Sequence, residues 1–354
     1  MSGLTALLPR TRKRLLPQWR RRSGWIGVDV NDREIRLAQL AHSDQTLRIE
    51  KSLIIPRAVS DTDSVNYLPP GFKELRRQFR GRSAASVLPD SISEFRTFNL
   101  PDMETVDARA FLNHELQSAD RARVFDCWEI LSVKRDDSRQ FGVIVTDEST
   151  AAQLGADLFA TGLNCERIDG RPHALARAAK LMFAARPQET QAVVEFAETC
   201  TTFTLAIDGQ NIFARQIQQL AMQHVIQTVQ SQLALDESVC RLLLREYGIE
   251  TSSAPGDGEL RSALRDITHE FLMQLTEELQ RTLEFTRALP GHRAPARIIL
   301  AGVGATIRGL PSALQREMNL PVRTWTMPAA PGISTQIIPA LAVAAALSEP
   351  GVPA

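Results

Sequence analysis

Several features that assign a chain to a particular class of site are scarce in this sequence. Its 354 residues include four cysteines, Cys127, Cys165, Cys200 and Cys240, which form no CxxC pair and no Cys/His cluster at metal-binding spacing. Cysteines this far apart favour buried thiols in a reducing compartment over a disulfide framework or a zinc site.

Long apolar runs and an excess of one charge are missing as well. No segment approaches the ~20 apolar residues of a membrane-spanning helix, and residues 337–347 are predicted to form a C-terminal core helix instead. The 41 basic and 41 acidic side chains cancel, so net charge does not favour a nucleic acid or an anionic membrane as partner. The sequence also lacks a Gly-x-x-x-x-Gly-Lys phosphate loop and a Gly-x-Ser-x-Gly nucleophile elbow.

Basic residues are concentrated at residues 1–23, where arginines and one lysine precede the first acidic residue, Asp29. This composition predicts a disordered, solvated tail. The alternative is a peripheral contact with anionic lipid, worth roughly 1 kcal/mol per basic residue near the membrane surface.

A predicted hairpin at residues 24–40 organises the rest of the chain. A strand at 25–30 ends near Asp29, a polar turn follows, and a second strand runs over 34–40, with a third at 46–56. The same order returns after residue 190, where a strand ends on Glu195 and two more strands follow. This distant internal repeat predicts two related halves.

The segment between the two repeats has the composition of a small α+β unit. Residues 90–168 read as strand, helix, two strands, helix and strand, with Asp102 as the predicted cap of the first helix. The predicted division is therefore a first half at 24–89 and 169–186, an insert at 90–168, and a second half at 187–354.

A long helix is predicted at residues 259–289 in the second half. Apolar residues recur there at steps of three and four, which gives one buried stripe. The stripe consists of Leu260, Leu264, Ile267, Phe271, Leu275 and Leu279.

Taken in order, these segments resemble the actin-like ATPases, and within them the PilM family of type IV pilus assembly proteins, a relative of the division protein FtsA. The best-matching pieces are GRPHALARA at 170–178, EELQRTLEF at 277–285 and LAGVGATIRGLPSAL at 300–314. The resemblance implies an α/β, two-lobed, actin-like (ribonuclease H-like) fold. Its small α+β insert would correspond to the SHS2-like subdomain of that family.

The resemblance also implies a nucleotide site between the halves. In the family, two hairpin turns bind phosphates through backbone N–H groups, an acid holds the metal's waters, and a Gly-rich turn receives the nucleoside. Asp29 is the implied metal residue. The implied nucleotide-binding residues are Asp29, Asn31, Asp32, Arg33, Glu195, Ala197, Thr199, Thr201, Thr202, Glu278, Arg281, Gly302, Gly304 and Ala305.

The first turn departs from the family pattern. Asn31 tolerates a left-handed backbone in place of glycine, so the turn can survive. Asp32 and Glu34 would place negative charge near a phosphate, whereas Arg33 could pair with one. The alternative is an ordinary polar hairpin turn.

The second turn and the segment before it depart further. Glu195 and Ala197 replace the family's Asp-x-Gly, which lengthens the acid and adds a Cβ that is strained if the backbone needs a positive φ. The three threonines beyond it also suit an exposed strand edge. Arg171 stands where the family commonly has a glutamate near the attacking water, and an arginine cannot act as a base.

Two residues of the long helix can be interpreted either as nucleotide contacts or as a surface ion pair. Glu278 and Arg281 lie at i and i+3 of the long helix, where the fold often contacts base and ribose, but a surface ion pair explains them equally well.

The resemblance implies a cytoplasmic scaffold, peripheral at the inner membrane face. The losses predict that its nucleotide site is degenerate, so that no cofactor is certain. Its expected partners are the tail of a PilN-like membrane protein and other pilus platform subunits, with self-association left open and no nucleic acid. The alternatives are an active Mg-ATPase of a pilus or type II secretion platform, which would bind ATP or ADP with Mg²⁺, and an FtsA-like membrane-linked filament protein.

Overall fold

The computed structural model describes residues 22–31, 33–43, 46–57, 68, 72–117, 122–130, 138–182, 189–249, 259–287, 294–327, 329 and 340–347. Asp32, residues 187 and 188, and residues 1–21 of the predicted tail at 1–23 lie outside these residues. The last two residues of that predicted tail, 22 and 23, are instead the start of the first strand.

The first half is built on a five-stranded sheet with the order β3-β2-β1-β4-β8. Its strands are β1 (Arg22–Val30), β2 (Glu34–Ser43), β3 (Thr46–Pro56), β4 (Ser83–Val87) and β8 (Asn164–Asp169). The first three strands form an antiparallel meander, and β4 and β8 add in parallel beside β1. The short helix α1 (Phe72–Arg76) precedes β4 in the chain.

The second half repeats this topology in the order β11-β10-β9-β12-β13. Its strands are β9 (Thr190–Phe196), β10 (Thr201–Ile207), β11 (Gln210–Ile217), β12 (Ile298–Ala301) and β13 (Val322–Thr324). Again an antiparallel meander is followed by two parallel strands. The identical strand order confirms the predicted internal repeat.

Helices α5 (Met222–Leu233), α6 (Glu237–Glu246), α7 (Glu259–Arg287) and α8 (Leu310–Met318) belong to the second half. The buried stripe predicted along α7 is present from Leu264 to Leu279, but Leu260 is 44% exposed. Periodicity identifies the face of a helix that packs, whereas the extent of the surface it packs against is a tertiary property.

The insert contains a three-stranded antiparallel sheet, β5-β7-β6, covered by one helix. Its elements are β5 (Glu94–Pro101), α2 (Thr105–Leu116), β6 (Arg123–Glu129) and β7 (Ser138–Asp147). The residue before α2 is Glu104, so the predicted cap at Asp102 is wrong; Asp102 instead pairs with Arg139 at 2.5 Å.

The insert boundary stays a prediction, and two elements within 90–168 favour a shorter unit. Strand β8 pairs with β4 of the first sheet. Helix α3 (Glu148–Ala160) buries Leu154 and Leu158 in the same core as Ile26 and Val28. We infer that the insert proper ends near residue 147.

Two helices join the halves. Helix α4 (Arg171–Met182) follows the first sheet in sequence but packs on the second, and α9 (Ala340–Ala346) from the C-terminal region packs on the first. One core cluster therefore contains residues of both sheets, including Leu40 and Val193. The Trp325 indole N–H donates to the carbonyl of Ala178 at 2.8 Å within this core.

The cysteine prediction is correct for two residues only. Cys200 and Cys240 are buried, whereas Cys127 and Cys165 are partly exposed because they lie on strands near the insert surface and the sheet edge. In the described part of the chain, no helix is both long and apolar enough to cross a bilayer.

Candidate functional site

Two acids lie at equivalent places in the two sheets, near the ends of their central strands. Asp29 on β1 is paired in register with Arg36 of β2 and Val87 of β4. Glu195 on β9 is paired in register with Thr202 of β10 and Ala301 of β12. Strands on both sides exclude water, and both side chains are essentially fully buried.

The Arg171 side chain lies between these two acids. Its Nη1 donates to both carboxylate oxygens of Glu195, at 2.8 and 2.9 Å. Its Nη2 lies 3.6 Å from Asp29 Oδ1, and its Nε lies 2.6 Å from Oδ1 of Asp90, in the short 3-10 helix Asp90–Ile92. Arg171 is 2% exposed, because it is the first residue of α4 and points into the interface between the sheets.

A second arginine supports Asp29 from its own sheet. Arg36 Nη1 lies 3.5 Å from Asp29 Oδ2, and its Nε donates to Glu34 Oε1 at 2.6 Å. Both carboxylate oxygens of Asp29 lie near a guanidinium, but neither accepts a hydrogen bond in the described structure. The cluster thus contains four carboxylates and two guanidiniums, an excess of negative charge.

Burial, together with this excess of negative charge, shifts the protonation of the cluster. Burial raises the pKa of Glu195 to about 7; Arg171 opposes the shift, and the nearby Asp90 and Asp29 add to it. Burial alone would lower the pKa of Arg171, but Asp90, Glu195 and Asp29 together raise it above its ordinary value. The arginine therefore stays charged, and Glu195 is the acid that takes up a proton.

In the first hairpin turn, backbone donors are already engaged. The Asn31 side-chain oxygen accepts hydrogen bonds from the N–H groups of Arg33 and Glu34, each at 3.0 Å. Asn31 does not adopt a positive φ, so the predicted left-handed conformation is not used. Two backbone N–H groups of this turn are thus satisfied within it, and one of them belongs to Arg33, which the resemblance implies in nucleotide binding.

The second turn is not strained. Ala197 does not have a positive φ, so the predicted conformational cost of its Cβ does not arise. Its N–H donates to the carbonyl of Cys200, and its carbonyl accepts from Met222 at the start of α5. Thr201 and Thr202 are fully buried on the inner strand β10, which contradicts the exposed-edge interpretation, while Thr199 is partly buried.

The Gly-rich turn lies against the second hairpin. A Cβ on Gly302, whose φ is +83°, would lie 2.4 Å from the Phe196 carbonyl oxygen. A Cβ on Gly304 would lie 1.6 Å from the Phe196 ring. The two glycines therefore allow Phe196 to pack closely, and Ala305, half-buried, packs against the core of the second half.

A cavity of about 340 Å³ remains where the two hairpins, the Gly-rich turn and α6 meet. Arg33 at its edge forms ion pairs with Glu237 and, at 3.8 Å, with Glu198. Arg241 donates two hydrogen bonds of 2.9 Å to Glu198. The cavity is lined by Arg33, Glu34, Arg36, Glu198, Met222, Arg241, Arg245, Val303 and Thr306.

Glu278 and Arg281 do not line this cavity. Glu278 accepts hydrogen bonds from Arg215 of β11 at 2.9 Å and from Arg281 at 2.8 Å, and Arg281 is largely exposed. The contacts fit the ion-pair interpretation, and a role of these residues in nucleotide binding stays a prediction.

The residues present do not fit the Mg²⁺ of the actin-like site. The guanidinium of Arg171 lies among the acids that would surround a cation, and no metal-binding group of three or more acidic, His or Cys residues is found in the described ranges. Asp32 lies outside those ranges, so its predicted role is untested.

Sequence reasoning missed four charged residues of this site. Asp90, Arg36, Glu237 and Arg241 reach it from the 3-10 helix, β2 and α6. Only Arg36 had a local signal, since it is two residues from Glu34 and alternates with apolar neighbours on a buried strand. The others come close only through tertiary packing.

Comparisons with known proteins give matches at the level of structure. No family model matches the chain, and no curated protein matches it in sequence. A chain of a structure described as a PilM–PilN type IV pilus biogenesis complex superposes with a TM-score of 0.69 and 19% identity, over 92% of this chain and 98% of that one. The ethanolamine utilization protein EutJ from Carboxydothermus hydrogenoformans superposes with a TM-score of 0.55 and 11% identity, over 94% and 90%.

These matches confirm the predicted two-lobed, actin-like α/β fold and the resemblance to PilM in fold. At such identities, a shared fold does not by itself carry a shared activity.

Proposed function

We propose that this protein is a scaffold of a type IV pilus inner-membrane assembly platform and that it binds the cytoplasmic tail of a PilN-like membrane protein. The observation that carries the proposal is the near-complete overlap with a chain of the PilM–PilN complex, over 92% of this chain and 98% of that one. Binding such a tail would place the protein at the inner face of the membrane.

As part of this proposal, the protein binds the tail of its membrane partner and does not hydrolyse ATP. Arg171 lies among the acids of the metal position, and the Asn31 side chain engages two backbone donors of the first turn. Mg·ATP is therefore expected to give no phosphate release above background. Turnover that disappears in Asp29→Ala would favour the alternative, an active ATPase.

Two grooves beside the insert are candidates for the tail. A cavity of about 300 Å³ between the insert and the first half is lined partly by Val124, Phe125 and Ile144. A groove of about 690 Å³ between the insert and the second half is lined partly by Phe213 and Phe285. Both have apolar walls with polar groups, as peptide sites require.

The test is binding of a labelled peptide with the sequence of the PilN-like tail encoded in the same genome, followed by fluorescence anisotropy. Val124 and Phe285 are 38% and 56% exposed, so Val124→Asp and Phe285→Asp should fold and serve as matched variants. Saturable binding that one variant weakens at least about tenfold would support the proposal and identify the groove. Binding equal to that of a scrambled peptide would contradict it.

A further inference from the structure

Three acids of the cleft come from separate parts of the chain and from both halves. Asp29 lies on β1 of the first sheet, Asp90 follows β4, and Glu195 lies on β9 of the second sheet. Each faces a different nitrogen of Arg171: Nη2, Nε and Nη1, at 3.6, 2.6 and 2.8 Å. A single side chain thus contacts every acid of the group.

We propose that the Arg171 guanidinium replaces a divalent cation in this cleft and joins the two halves of the protein without any ligand. Three buried carboxylates around an empty space would repel one another and lose their hydration. A metal ion or a guanidinium relieves both costs. The guanidinium does so permanently, because it is planar, carries five donors and does not lose its proton.

The ion pairs between arginines and carboxylates at the cavity edge differ from the contacts of Arg171 in their exposure to water. The side chains of Arg33 and Glu237 are 35% and 34% exposed, so water screens their attraction. Those of Arg171, Asp29 and Glu195 are at most 2% exposed. The buried contacts are therefore the ones whose loss would leave unpaired charges.

Arg171→Ala in the full-length protein tests the proposal, because it leaves the three carboxylates around an opened space. The variant is expected to unfold about 5–10 °C below the wild type in EDTA, as for a broken buried ion pair. Millimolar Mg²⁺ or Ca²⁺ should raise its midpoint by about 5 °C, and calorimetric titration with Ca²⁺ should show one site. The wild type should respond to neither cation.

Arg177→Ala is the matched control on the same helix. Arg177 pairs with Asp169 and donates to the Ala344 carbonyl at 3.2 Å, so its loss also breaks an ion pair. Its removal leaves no three-carboxylate group, and the variant should not respond to cations. An Arg171→Ala midpoint that is equal in EDTA and in either cation would overturn the proposal.

A second variant covers the case in which Arg171→Ala does not fold. Combining Arg171→Ala with Asp29→Asn and Glu195→Gln removes the repulsion, so soluble, folded protein should be recovered without any cation. Failure of this variant to fold would also count against the proposal. None of these outcomes depends on the pilus role. Tail binding can fail while Arg171→Ala responds to cations, and tail binding can succeed while Arg171→Ala does not respond.

Discussion

The Arg171 side chain is buried among three carboxylates. The resemblance aligned it with a glutamate, so the sequence predicted only the loss of a group near the attacking water. In the structure its three nitrogens face Asp29, Asp90 and Glu195. An unpaired arginine would not be stable in such a buried place, so the acids around it are part of the same arrangement.

Glu195 is predicted to make stability depend on pH. Its pKa is about 7 in the folded protein against an ordinary value of 4.5, so between these pH values the folded state holds more protons than the unfolded state. Its contribution to the free energy of unfolding therefore falls as pH rises from about 4.5 to about 7. In the Glu195→Gln variant the side chain at position 195 cannot ionise. Its free energy of unfolding, measured by urea titration at pH values from 4.5 to 8, should therefore lack this fall.

The control for this prediction is Glu284→Gln, at an exposed position of α7. Its stability profile should run parallel to that of the wild type. If the Glu195→Gln profile is also parallel to that of the wild type, Glu195 is ionised throughout and the predicted protonation is wrong.

At the scale of elements, the strands were predicted closely and the helix ends less so. Strand β3 has the predicted bounds, because strand propensity and turn residues on either side are local signals. Helix α2 begins after Glu104 and not after Asp102, whose carboxylate pairs with Arg139 across the insert sheet. A capping residue can be recruited by another element, and the local sequence does not show this.

Two leucines of the α7 stripe are predicted to differ in how much they contribute to the free energy of unfolding. Leu275 is fully buried, so Leu275→Ala should lower the free energy of unfolding by about 2–5 kcal/mol through lost burial and a cavity. Leu260 is 44% exposed, and Leu260→Ala should change it by no more than about 0.5 kcal/mol. Urea unfolding of both variants measures the difference, and equal losses would mean that the first turn of α7 packs against a surface.

At the scale of the whole molecule, the halves are joined by a shared core as well as by charges. Adjacent residues of β9 contribute to different cores: Val193 packs with residues of both sheets, and Val194 packs within the second half. Helices α4 and α9 cross between the sheets. The structure therefore predicts one cooperative unfolding unit.

Val193→Ala and Val194→Ala provide a matched test of this cooperativity. Both side chains are fully buried, and each substitution should cost about 2 kcal/mol. In each variant, the near-ultraviolet signal of the four tryptophans, of which Trp325 lies in the shared core, should shift together with the far-ultraviolet signal. Two separate transitions in Val194→Ala would show that the halves unfold independently.

The sequence by itself determined the two related halves, the order of their strands and the position of the acids at strand ends. Alternation, turn residues and buried runs are local properties that a sequence carries directly. The segment order was enough to indicate an actin-like fold. The sequence also showed that the residues expected at a working nucleotide site were altered.

Only the tertiary structure showed which residues meet between the two acids at the strand ends. Asp90, Arg171 and Glu195 are separated by as many as 105 positions, yet they form one buried group because α4 carries Arg171 from the first half onto the second sheet. Electrostatic energy in a buried cleft depends on distance and desolvation, and neither is a property of sequence neighbours. Asp29 of the first sheet and Glu195 of the second sheet both face this one arginine side chain.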